Sequence, residues 1–460
     1  MESSSLDFKE NARVALADPV LQEALGFARA GFQEKRAAAA ARLPEFEALR
    51  DASKEIKDHT LAHLDLYLEL FEQRVLEQGG KVHWARDAAE ARDVVLRLCK
   101  GSGVRTATKS KSMISEEIGL NEALEAQGIA RVETDLGEYI VQLAGETPSH
   151  ILAPAIHMTK ERVSTLFVQA HGTSPLQEAP ALLSEARRVL RKRYFEADVG
   201  ITGANFLVAE TGSVVLVTNE GNAELTQGLP RMHIVIASIE KLVPSLEDAC
   251  TLLRVLARSA TGQEFSAYTT ILTGPKRPSD LDGPARLHVV LLDNGRSRMI
   301  GTEFQDILRC IRCGACMNHC PVYLATGGHA YGWVYPGPMG AVLTPSFIGI
   351  EEARHLPNAS TFCGRCEQVC PMRIPLPKMM RHWREREFAS KLSPATGRYG
   401  LKLWAFAAKR PALYHLGARL AVALLARLGR KRGSFRSLPL AGGWTAARDL
   451  PAPQQATFQA

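Results

Sequence analysis

From Asp58 onward, apolar residues recur at helical spacing, and Leu61, Leu64, Leu68, Phe71 and Val75 share one face. Gly79-Gly80 closes that helix, and residues 81–84 read as a short strand. The two periods then alternate. Residues 88–98 predict a helix, 104–107 a strand, and 114–127 a helix closed by Gly128. Residues 130–133, 151–153, 214–217, 234–237 and 288–292 predict further strands, the last ending at the turn Asp293-Asn294-Gly295. Alternation of this kind implies an α/β domain with a largely parallel sheet.

Three other regions flank that pattern. Residues 1–57 are rich in Ala, Glu, Arg and Lys at helical spacing and predict a helical arm on the surface. Residues 327–340 carry too much Gly and Pro for regular structure and predict an irregular loop whose aromatics pack near the cysteine runs. Beyond Lys378 a helix carries Arg381, Arg384 and Arg386, and residues 399–432 mix Leu403, Trp404, Phe406, Leu413 and Leu416 with many Lys and Arg. Such a basic amphipathic stretch suits a partner subunit or an anionic membrane surface. No nucleic-acid motif accompanies it. The chain therefore divides into an arm (1–57), an α/β domain (58–300), a cysteine domain (301–390) and a basic helical tail (391–460).

Composition changes this picture little: 460 residues, 46% hydrophobic, 23% charged and a formal charge of +7 are those of an ordinary soluble protein. The first residues lack a basic region followed by an apolar one, so no signal peptide is expected. No uninterrupted apolar run reaches bilayer length, which together with reduced cysteines predicts a cytoplasmic protein.

The cysteines change it most. Of nine, all but Cys99 and Cys250 fall in two runs; those two sit in apolar helical patterns and are expected to be buried thiols. The first run, Cys310-Ile-Arg-Cys313-Gly-Ala-Cys316-Met-Asn-His-Cys320-Pro321, has the spacing of a bacterial ferredoxin [4Fe–4S] site, in which the cysteine before proline ligates the other cluster. The second run supplies Cys363, Cys366 and Cys370-Pro371. Interleaving then groups Cys310, Cys313 and Cys316 with Cys370, and Cys363 and Cys366 with Cys320. Zinc also takes paired C-x2-C runs, but it explains neither the three closely spaced cysteines nor the Cys-Pro endings. In the second run the first place falls on Ser360. A serine ligand, a [3Fe–4S] core, an outside ligand and a serine that only bonds the turn all stay open.

Two polar stretches in the α/β region are candidates for chemistry. Thr108-Lys109-Ser110-Lys111-Ser112 follows a strand and precedes a helix, a setting for an anion or simply an N-cap, and Lys109 is its catalytic candidate. Glu210 lies in a polar knot between Gly200 and Asn222 and is a second candidate. Neither dinucleotide nor P-loop fingerprints occur.

Together these residues resemble the lactate utilization protein B family, the iron–sulfur subunit of a bacterial L-lactate oxidation system. Thr202-Gly203-Ala204-Asn205 to Gly212, Thr218 to Asn222 and Leu292 to Ser297 resemble its LUD domain, and the cysteine runs resemble its paired ferredoxin motifs. Residues 335–345, Gly443-Trp444-Thr445 and Arg448-Asp449 resemble it as well. The resemblance implies an N-terminal fold of the NagB/RpiA/CoA-transferase group, then an α-helical dicluster domain and a helical tail. It implies two [4Fe–4S] clusters: one on Cys310, Cys313, Cys316 and Cys370, the other on Cys320, Cys363 and Cys366 with its fourth ligand missing. It further implies two companions, a cysteine-rich iron–sulfur protein and a second, smaller LUD protein. The expected function is electron transfer during oxidation of L-lactate to pyruvate. An iron–sulfur subunit for another 2-hydroxy acid such as glycolate and a redox-sensing scaffold are the alternatives.

Overall fold

A computed structural model describes residues 3–438, 445, 448–454 and 457, with the side chains of 27–30 left aside. Met1, Glu2, Gly443 and Trp444, which entered the sequence reading, lie outside the described residues. The chain forms two compact units, Met1–Arg386 and Glu387–Ala460.

A six-stranded sheet with every pairing parallel forms the centre of the first unit. Its strands are β1 (Lys81–Ala85), β2 (Thr106–Lys109), β3 (Ala130–Glu133), β4 (Val199–Thr202), β7 (Met232–Ser238) and β10 (Arg286–Leu292), in the order β1-β10-β7-β4-β2-β3. The central strands β7 and β10 are mostly apolar and buried because helices cover both sheet faces. One layer buries Val95, Ile118, Leu124, Ile201, Ile234 and Val290; the other buries Phe71, Val75, Val235, Val289 and Leu291. A smaller sheet, β8-β5-β6-β9, packs beside the second layer through Leu207, Val214 and Leu242. Its strands are β5 (Phe206–Val208), β6 (Ser213–Thr218), β8 (Leu242–Val243) and β9 (Tyr268–Leu272). At Gly200 on β4, a Cβ would stand 1.7 Å from the Thr226 carbonyl oxygen, so only glycine lets the helix Asn222–Gly228 lie against the sheet.

Several expectations need correction. Residues 151–153 form no strand, because His150 Nδ1 accepts from the backbone N–H groups of Leu152 and Ala153 and takes them out of any ladder. The predicted helix 114–127 is two, Met113–Glu117 and Leu120–Ala126, parted by Gly119 at φ +63°. Residues 337–340 open the helix Gly337–Ile348; an apolar environment on all sides outweighs their weak helix propensity. Cys99 is buried as expected, whereas Cys250 is exposed on the outer face of the helix Leu246–Ala260.

The first helices are no surface arm. Phe8–Ala17, Pro19–Ala41 and Phe46–Ala62 run between the sheet domain and the cysteine loops, burying Leu25, Ala39, Phe46 and Arg50. Gln22 donates to the Ala325 carbonyl, Gln33 to Asn318 and Arg36 to Val369. Arg50 donates to the carbonyls of Gln368 and Cys370, and Lys57 to those of Glu240 and Leu242. Their Ala- and Arg-rich composition suits a helix that threads a crowded joint, with small residues for close packing and long cations for carbonyl oxygens.

The second unit holds the helices Ala395–Ala408 and Pro411–Gly429 and a short antiparallel pair, Ser434–Phe435 with Leu450–Pro451. Tyr399, Leu403, Trp404, Phe406, Leu416, Leu420 and Leu424 are exposed. Contrary to the sequence reading, Pro411–Gly429 is long and apolar enough to cross a membrane by length and composition, with 11% of that stretch buried. Arg419 and Arg427 interrupt its apolar run without lowering its mean hydropathy below such a span's.

Candidate functional site: two cysteine loops and a cavity at the strand ends

The two cysteine runs fold alike. In the first, Arg312 takes φ +59° and Gly314 φ +70°, and a helical turn follows at Ala315–Asn318. In the second, Phe362 takes φ +54° and Gly364 φ +78°, and the turn is Arg365–Gln368. A left-handed residue before each central cysteine and a glycine after it wrap the loop so that its sulfurs face inward. Superposing the two patterns puts Ser360 where the first loop has Cys310.

Two cavities collect the sulfurs. Cys310, Cys313, Cys316 and Cys370 line one, closed by Ile151 and Met339. Cys320, Cys363 and Cys366 line the other together with Ser360. Burial raises the Cys316 thiol well above its usual pKa, and neighbouring Cys310, Cys313 and Cys370 raise it further. Burial likewise carries Cys370 to about 11, and burial with Cys320 nearby carries Cys366 to about 12. Cys363 is exposed, and the Arg365 backbone N–H lowers its pKa. Thiols crowded this tightly resist ionisation unless cationic metal sits among them. The donor set in the first cavity is sulfur with no imidazole or carboxylate; His319 also lines the second, but its Nδ1 is taken by the Ala315 carbonyl and no carboxylate joins it, which fits iron–sulfur ligation.

Ser360 Oγ accepts from the Phe362 backbone N–H at 3.1 Å, so its hydroxyl holds the turn while also lining the cavity. We predict that Ser360→Cys completes a four-sulfur set. Its expected result is a changed EPR signal from the second site with unchanged signal from the first; an unaltered spectrum with iron content also unchanged contradicts it.

Beside the first cysteine loop lies a cavity of about 240 Å³ at the C-terminal ends of β2, β4 and β7. This is where open parallel sheets place ligands. Ser110, Lys111 and Ser112 line it, and Ser112 also caps the next helix by accepting from Ser115 N–H. Neither catalytic candidate from the sequence reaches it. Lys109 is fully buried and 3.0 Å from both Glu116 and Glu133, a charge-balancing position that burial dictates. Glu210 is exposed on the β5–β6 hairpin, where its Oε2 accepts from Leu246 N–H at the start of a helix. Lys111, two residues on, faces the cavity with its charge already matched by Asp135 at 3.2 Å.

Residues that sequence reasoning missed join cavity and loop. Glu117 receives both Arg296 guanidinium nitrogens at 2.9 and 2.8 Å, the Tyr335 hydroxyl at 2.6 Å and the Asn294 amide at 2.7 Å. Arg296 Nε stands 2.8 Å from Glu240, and Glu240 also pairs with Arg312 at 3.3 Å. Arg312, between Cys310 and Cys313, lies over the Tyr335 ring at 5.0 Å. Burial pushes the Glu240 carboxyl up, but Arg296 and Arg312 outweigh it and hold its pKa at about 2. The relay Glu117–Arg296–Glu240–Arg312 thus ties the ends of β7 and β10 to the first cysteine loop. Spacing cannot show it, because its members are scattered from 117 to 312. The only sequence signal was Arg296 just after the Asp293-Asn294-Gly295 turn.

An α/β domain whose strand ends face the first of two ferredoxin-type cysteine loops defines a LUD-type protein fused to an iron–sulfur dicluster module. Three family models agree: a LUD domain over residues 68–292, a 4Fe-4S dicluster domain over 306–374, and a lactate utilisation protein B C-terminal region over 373–460. Lactate utilization protein B of Macrococcus caseolyticus is 42% identical over 98% of this chain and 96% of its own. The proteins of that name from Bacillus licheniformis and Bacillus subtilis are each 40% identical, over 100% and 98% of this chain and 97% and 95% of theirs. The chain belongs to the lactate utilization protein B family. A DUF162 family protein from Deinococcus radiodurans, 17% identical, matches 50% of this chain and 98% of its own with a TM-score of 0.29, too low to carry structural argument.

Proposed function

We propose that this chain is the iron–sulfur electron-transfer subunit of a system that oxidises L-lactate to pyruvate. The observation that carries the reading is Arg312, which lines both the strand-end cavity and the first cysteine cavity. A redox centre held there would touch the wall of the cavity in which a small acid could reside. Cys310, Cys313, Cys316 and Cys370 would hold one [4Fe–4S] cluster, and Cys320, Cys363 and Cys366 the other, open at its fourth position or of [3Fe–4S] type. When bound, such clusters pass single electrons. The protein's own part is to insulate and fix them: Arg50 grips the Cys370 and Gln368 carbonyls, while Tyr335 and the buried relay hold the first loop still. The parallel sheet with a second small sheet beside it supports kinship with the NagB/RpiA/CoA-transferase group.

The relatives' names support a role in lactate utilization, and with it the companions expected of such a system, a cysteine-rich iron–sulfur protein and a smaller LUD protein. The exposed apolar and basic surface of the second unit supports docking to them on the cytoplasmic side; binding to anionic vesicles by the chain alone would point to the membrane instead. The test is reconstitution of the full system without oxygen. L-lactate should reduce an artificial acceptor only when this chain is present with its clusters. Equal turnover without it would remove the relay role, and preference for glycolate would move the substrate assignment.

A further inference from the structure

We propose that the strand-end cavity binds the carboxylate of a small 2-hydroxy acid, with Lys241 and Arg312 as the anion-recognising pair and Asn222 Oδ1 accepting from the hydroxyl on the second carbon. This rests on the preceding reading and deepens it by placing the acid on this chain, not on a companion.

Three features of the wall carry it. Lys241 follows β7 and lines the cavity, and among the described residues its ammonium has no hydrogen-bond or ion-pair partner. Arg312 gives Nη2 to Glu240, while its Nη1 is buried without a partner. Asn222 is 4% exposed; its amide nitrogen reaches Thr134 Oγ1 at 3.5 Å, and its Oδ1 is unpartnered. Buried polar groups left unpaired are costly, so a wall carrying two of them beside a free ammonium is built for a ligand that pairs them.

Charge and shape select the ligand class. Asp135 pairs with Lys111 and Glu220, also in the wall, acts on the same ammonium, so the cation without an ion-pair partner is Lys241, toward the cysteine loop. Leu216, Ile236, Ala257 and Ala260 form an apolar side that accepts a methyl or short alkyl group. A phosphate would satisfy the cations but leave that side wet, and would offer Asn222 nothing that an adjacent hydroxyl does not. An acid with a hydroxyl on its second carbon meets the cations, the amide oxygen and the apolar side at once.

The experiment is binding, read by calorimetry on the full chain prepared without oxygen, with L-lactate, pyruvate, propionate and inorganic phosphate as separate probes. L-lactate should bind, and pyruvate and propionate, lacking a hydroxyl that can donate to Asn222 Oδ1, should bind about tenfold or more weakly. Lys241→Met should weaken L-lactate by about tenfold or more while Lys241→Arg retains it, a rescue that a folding defect would not show. Asn222→Ala should erase the preference for L-lactate over propionate. Unchanged affinity in Lys241→Met, binding of phosphate alone, or no binding of L-lactate at about 10 mM overturns the site. Acid binding by this chain combined with no lactate-driven turnover in the reconstituted system would leave the site standing and remove the functional reading instead.

Discussion

Cys313→Ala is expected to remove about half of the iron and acid-labile sulfide, because Cys313 shares its cavity with Cys310, Cys316 and Cys370 and with no cysteine of the second cavity. Lactate-driven reduction of an acceptor should fall to background, since a relay that has lost one of its two centres does not conduct. Cys99→Ala is the matched control. Cys99 is also buried, and burial alone raises its pKa to about 11, but it packs in the sheet core far along the chain from either run. That variant should keep its full iron. Metal analysis and EPR of the two proteins side by side check the pair; full iron in Cys313→Ala contradicts the grouping of the ligands.

The second large effect is structural. Arg296→Met leaves two buried carboxylates, Glu117 and Glu240, without the cation they share. Breaking a buried pair from one side costs about 3–5 kcal/mol, because the abandoned charge has nowhere to be solvated. Urea unfolding of wild type and variant, both stripped of metal, reads the difference; a loss under about 1 kcal/mol would show that the relay adds nothing beyond packing. Acid sensitivity gives the sign. Glu240 is held at about 2 against an ordinary 4.5, so the stability it contributes is present above about 4.5 and lost as pH falls toward 2. Without Arg296 its folded pKa rises, and the acid loss of that contribution narrows.

The inner strands β7 and β10 were legible because they are short, mostly apolar runs, rich in Val, Ile and Leu and bounded by turn signals, too short for a buried helix. Residues 151–153 looked the same in sequence, but one buried histidine accepting their N–H groups outweighed strand propensity. The Gly-Pro stretch 337–340 misled in the opposite direction. Gly340 is there because a Cβ would meet the Tyr335 carbonyl oxygen at 1.6 Å inside a packed helix, not because the chain turns. For the site, the cysteine runs announced themselves through local spacing. Lys109 and Glu210 stood out only as charged residues in polar loops, and sequence carries no sign that one is locked among carboxylates and the other caps a helix. Arg312, Glu240 and Lys241 went unread for the converse reason: each gains its meaning from partners distant in the chain.

One measurement bears on all of this most directly: iron, zinc and acid-labile sulfide in the full chain purified without oxygen, with EPR before and after reduction. The account predicts iron and sulfide in near-equal amounts sufficient for two clusters, and two distinguishable signals, one of them from a centre with fewer than four cysteine ligands. A colourless protein carrying zinc and no sulfide would contradict it.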